Sequence, residues 1–162
     1  MNDAHWHLVV NHLPIIFPMA ALIVLATGLV SKSEAVKRTA YLLFVIGALT
    51  SAAAMATGEG AEEVVENLNG VSENYIETHE EAAETFALMS YILGVLSIIG
   101  LWANFQKKSF SKWVSIAVAL FALVVLFFAK ATGTTGGEIR HSEIRANAPA
   151  VGIEKHQEHE HE

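Results

Sequence analysis

Four stretches of this sequence run without a single Asp, Glu, Lys or Arg: Leu8–Ser31, Thr39–Gly58, Thr85–Gln106 and Trp113–Ala129. A bilayer core of roughly 30 Å takes about 20 apolar residues of helix. The first three runs meet that length. The fourth meets it once Lys130 snorkels and Ala131–Thr132 extend the helix. The expected spans are about 8–31, 39–58, 82–106 and 111–132. A soluble bundle would keep a polar face on every helix, and these runs are apolar all round. The reading is an all-α, integral membrane, up-down-up-down four-helix bundle over residues 1–145. An acidic, His-rich tail, 146–162, is expected to be disordered.

The first run does not read as a signal peptide. Met1-Asn2-Asp3 carries no positive charge, and the run far exceeds the roughly 7–15 residues of an h-region. Basic residues set the expected orientation. Lys32, Lys37 and Arg38 fall in the first loop, and Lys107, Lys108 and Lys112 in the third. All acidic residues except Glu34 fall on the opposite side. The positive-inside rule then puts both short loops in the cytoplasm. Both termini and 59–84 lie outside, which for a bacterial inner membrane is the periplasmic side. All eight histidines share that outer side. Small residues (Gly47, Ala48, Ser51, Ala52 and Ala54; Gly94, Ser97 and Gly100) suit close approach of the second and third helices.

The composition excludes several chemistries. With no cysteine, there is no disulfide scaffold, thiolate metal site, covalent haem or thiol catalysis. A net charge of −7 argues against nucleic acid as a partner. Gly133–Gly137 lacks the lysine of a phosphate-binding loop, and no Ser–His–Asp set is evident.

The outer ends of the spans carry the polar chemistry. Asn11 is the expected N-cap of the first span, Pro14 fits its first turn, and Pro18 is expected to kink it. His12 then sits at the mouth; His5 shares its face and His7 points elsewhere. Glu59, Glu62 and Glu63 share one face of a helix that continues out of the membrane, and Asn69-Gly70 marks a turn. The third helix starts near Ser72 or at Thr78, where Thr78 and Glu81 have capping-box spacing. His79 stands above Ala82, Ala83 and Phe86, beside Glu77, Glu80, Glu81 and Glu84. After the fourth span, glycines stop the helix, and the chain turns back to bring His141 near the axis. Glu138 and His141 form the Glu-x-x-His pair of di-metal bundles.

The central expectation is that His12, His79 and His141 meet at the outer mouth. Non-covalent haem b is the first candidate guest, with imidazole ligands and Arg140 or Arg145 for its propionates. Such a protein would carry electrons between quinol and a periplasmic cytochrome or a larger respiratory complex. The alternative is a dinuclear Fe, Cu or Zn site built from those histidines with Glu59, Glu62, Glu63, Glu80, Glu84 and Glu138. A third reading is a cofactor-free subunit of a larger membrane complex. Self-association into a homo-oligomer stays open.

Histidines before a proline-bearing first span, Thr57-Gly58, His79 and Gly136-Gly137 with His141 together resemble the DUF2231 family of small bacterial four-span membrane proteins. The resemblance covers Trp6–Ile144. It implies a setting beside cytochrome-type domains, and so haem or electron transfer. The chain departs from the family pattern in the carboxylate-rich stretches Glu59-Gly60-Ala61-Glu62 and His79-Glu80-Glu81, which favours the non-haem metal reading.

Overall fold

The structure is a computed structural model that describes residues 2–68 and 71–146. The described residues are all helical, without strands: α1 (Asp3–Val10), α2 (Leu13–Val30), α3 (Glu34–Glu66), α4 (Glu73–Phe105), α5 (Ser111–Arg140) and a 3₁₀ turn, Ser142–Ile144. Four helical stretches are long and apolar enough to cross a membrane: α1 with α2, α3, α4 and α5. Helices of 33 residues reach about 50 Å, so α3 and α4 overshoot a bilayer core of roughly 30 Å. The excess carries their glutamates, Glu34 excepted, to one end of the bundle, the acidic end. The opposite, basic end holds the α2–α3 and α4–α5 turns.

From α2 onward, helices adjacent in the chain pack as antiparallel neighbours, α1 packs on α3, and α2 closes the bundle against α5. The core is centred on Leu25, Tyr41, Phe44, Leu93, Val118 and Val125. Small residues do bring helices together. A Cβ on Gly94 would stand 2.7 Å from Ala48 Cβ, and one on Gly100 would stand 2.6 Å from the Tyr41 ring. Tyr41 and Ser115 share a buried hydrogen bond of 2.8 Å that ties α3 to α5.

Polar side chains lock the basic end. Lys37 Nζ donates to Glu34 Oε1 at 2.7 Å, and Asn104 on α4 donates to the other oxygen of Glu34. Arg38 Nε donates to Asn104 Oδ1 at 2.6 Å and lies over the Phe105 ring. Hydrogen bonds from Lys37 and Asn104 hold the Glu34 carboxyl below its ordinary range against a smaller opposing effect of burial.

Several local expectations are corrected. Asn11 does not cap the first span. The helix begins earlier, at Asp3 behind the Asn2 cap, and Asn11 and His12 form a break between α1 and α2. Pro14 does fall in the first turn of α2, and Pro18 sits inside a helix that continues past it, its ring against Gly47. Thr78 is not a cap either. The Ser72 alternative holds, and Thr78 Oγ1 donates to Asn74 O inside α4. Nor do the glycines after Thr132 stop the last helix. Thr132 Oγ1 donates to Ala82 O on α4 at 2.9 Å, and α5 runs on to Arg140. Packing against α4 there outweighs the weak helix propensity of glycine. The expected disordered tail lies outside the described residues beyond Ala146, as does the Asn69-Gly70 turn.

Candidate functional site

At the acidic end, α1 and α4 each place one histidine against a threonine and a glycine of a neighbouring helix. Because α1 is helical from Asp3, His7 faces inward. Asp3 packs over Gly60, and His7 lies beside Gly58 on α3. His7 Nδ1 is 3.1 Å from Ala54 O and 3.1 Å from Thr57 Oγ1. A carbonyl only accepts, so Nδ1 carries the proton. Thr57 Oγ1 directs its own hydrogen to the Ala53 and Ala54 carbonyls, each at 3.1 Å, and accepts from the ring.

The same construction recurs on the other side of the bundle. His79 Nδ1 is 3.1 Å from Thr135 Oγ1, whose hydrogen goes to Thr132 O at 3.1 Å. The ring lies on Gly136, where a Cβ would meet Cε1 at 2.9 Å. The hydrogen-bond partners thus assign the Nδ1–H tautomer to both imidazoles and leave both Nε2 atoms with a bare lone pair. Burial pushes both pKa values down. Charge on His12 adds to the effect at His7, and charge on His7 adds to it at His79. The lowered pKa favours the neutral ring, the form that ligates metals.

The other expected residues sit around this pair. His12 is exposed at the α1–α2 break, and His5 is exposed on α1. His141 is exposed at the end of α5, its Nδ1 2.9 Å from Glu143. Among the described residues no three His, Asp or Glu side chains gather into a metal-holding group, so His12, His79 and His141 do not form one. The continuation of α5 carries His141 past the ring of His79. Glu59, Glu63, Glu80 and Glu84 are exposed, while Glu62 and Glu138 are half-buried. Burial raises the Glu62 pKa, and the negative charges of Glu80, Glu66, Glu59 and Glu77 raise it further. Arg140 is exposed. Arg145 stacks over Tyr75 at 4.1 Å and donates to Glu138 O and Ile139 O.

His7 is the residue that reading the chain in line sends the wrong way. The expected face carries His5 and His12 with His7 pointing elsewhere; with α1 helical from Asp3, His7 is the one that lies against α3. Its signal lies in a second copy elsewhere: His7 with Thr57-Gly58 on α3 is matched by His79 with Thr135-Gly136 on α5. Compared with protein-family models, with curated proteins and with solved structures, the chain matches none.

Proposed function

We propose that this chain is a bacterial inner-membrane electron-transfer protein that holds a redox metal cofactor at its acidic end, with non-covalent haem b as the first candidate. The observation that carries the reading is the His7–His79 pair: two neutral, half-buried imidazoles, each steered through Nδ1 so that Nε2 is bare. A hydroxyl or carbonyl behind Nδ1 is the usual support of a ligating histidine. His79 keeps its expected ligand role, and His7 takes the place expected of His12 and His141. Arg140 is an exposed cation at this end that suits a propionate. Bound haem would supply a one-electron couple. The protein fixes the rings and limits water around them. The basic turns face the cytoplasm in this reading, and both termini lie outside, so electrons pass between quinol in the bilayer and a periplasmic acceptor. The resemblance to the DUF2231 family belongs to the same reading.

A second reading is a non-haem Fe, Cu or Zn site drawing on the carboxylates around Glu62, whose negative charges add to burial in raising its pKa. Protein purified in detergent after expression with ample iron separates the two. A Soret band that shifts on dithionite reduction supports haem. A colourless preparation with stoichiometric metal supports the non-haem site. Absence of both overturns the cofactor reading and leaves a cofactor-free subunit.

A further inference from the structure

The bundle is built twice over. In the first half, the buried positions Pro14, Pro18, Ala21, Leu25 and Gly28 of α2 map by one constant shift onto Phe86, Ser90, Leu93, Ser97 and Gly100 of α4. The same shift carries His7 onto His79. In the second half, Lys37, Ala40, Phe44, Gly47 and Ser51 of α3 map by another constant shift onto Ser115, Val118, Ala122, Val125 and Ala129 of α5. That shift carries Ala54 onto Thr132, Thr57 onto Thr135 and Gly58 onto Gly136. Both sets of buried residues repeat at helical spacing, so equivalent faces turn inward in the two hairpins.

The turns repeat as well. Lys32 and Lys107 take positive φ, 54° and 51°, a conformation uncommon outside glycine. The next amide in each turn, Ser33 or Lys108, donates at 3.0 Å to a carbonyl five residues back, Gly28 or Ala103. Each helix therefore ends in the same Schellman closure. The hairpins also pack as a two-fold relation requires: α2 on α3 answers to α4 on α5, and α3 on α4 answers to α5 on α2.

We infer that the bundle is two copies of one helical hairpin and its outer site two copies of one histidine–threonine–glycine half-site, so that His7 and His79 are equivalent residues and would together be the ones to hold a metalloporphyrin bound there. This rests on the haem reading above and narrows it. A metal held by two imidazoles carries electrons without binding a small molecule, whereas a single-histidine site would leave one face open.

The test adds haemin to the purified full-length protein and to His7→Ala and His79→Ala. Expected for the parent is a low-spin, six-coordinate spectrum that carbon monoxide does not alter after dithionite reduction. Each variant should lose the low-spin bands to a similar extent and gain a carbon monoxide shift. Added imidazole should restore the parent spectrum in both, a recovery that a misfolded variant would not show. Haemin bound by the parent with a carbon monoxide shift overturns the inference and leaves the haem reading standing. So does a parent-like spectrum in one variant alone. Failure of the parent to bind haemin overturns the haem reading, and this inference with it.

Discussion

A methyl group on Gly136 would come within 2.9 Å of His79 Cε1, whereas one on Gly58 would stand 3.9 Å from His7 Cε1. The two half-sites thus tolerate different changes. Gly136→Ala must push the imidazole away from Thr135, and cofactor content should fall several-fold. Gly58→Ala meets only ordinary contact and should keep its cofactor. It should also gain up to about 1 kcal/mol from helix propensity. Cofactor content and thermal midpoint of the two variants in one detergent check this, and equal loss of cofactor in both would count against it.

Gly100 is set by packing rather than chemistry. A Cβ there would stand 2.6 Å from Tyr41 Cε1 and Cζ, on a fully buried ring held by Ser115. Gly100→Ala should destabilise the bundle by about 1–3 kcal/mol, the usual range for overpacking. Thermal unfolding followed by circular dichroism reads the change. Tyr41→Phe should recover part of the loss in the double variant, because the ring can then shift without breaking a hydrogen bond.

At the basic end, Asn104 joins Glu34 to Arg38. Asn104→Leu removes the acceptor of Arg38 and one of the two donors to Glu34, which keeps Lys37, at a cost of about 1 kcal/mol. The carboxyl of Glu34 has its pKa lowered on folding, first by the hydrogen bond from Lys37. Its contribution is therefore complete above the ordinary carboxylate range and is lost as pH falls through the lowered value. Thermal midpoints measured from neutral to acid pH should drop less steeply in Glu34→Gln than in the parent. An unchanged slope would show that the carboxylate contributes nothing.

Much of the architecture was legible because charge-free runs have few physical solutions. Four of them, with basic residues at alternate turns, leave little besides a four-helix bundle. Ends and directions were harder. Asn2 begins a helix ahead of the expected cap at Asn11, and that one change turns His7 inward and leaves His12 exposed. Gly133, Gly136 and Gly137 read locally as a stop, yet contact with α4 carries α5 through them. His79 was placed by its position above the third run. His7 has no such local cue, since what places it is contact with Thr57-Gly58 on α3, as His79 meets Thr135-Gly136 on α5.

Orientation is open to a direct chemical test because the chain has no cysteine of its own. Single cysteines at the exposed positions Ser72 and Ser109 mark the acidic and basic ends. In intact spheroplasts, a membrane-impermeant maleimide should label Ser72→Cys and spare Ser109→Cys until the membrane is opened. The reverse pattern would invert the topology.

The most direct measurement is the cofactor content of the parent beside His7→Ala, His79→Ala, His12→Ala and His141→Ala, purified identically. The first two variants should lose most of the bound cofactor, and the exposed pair should retain it. Retention in His7→Ala with loss in His12→Ala or His141→Ala would contradict the assignment of the ligands to the His7 and His79 half-sites.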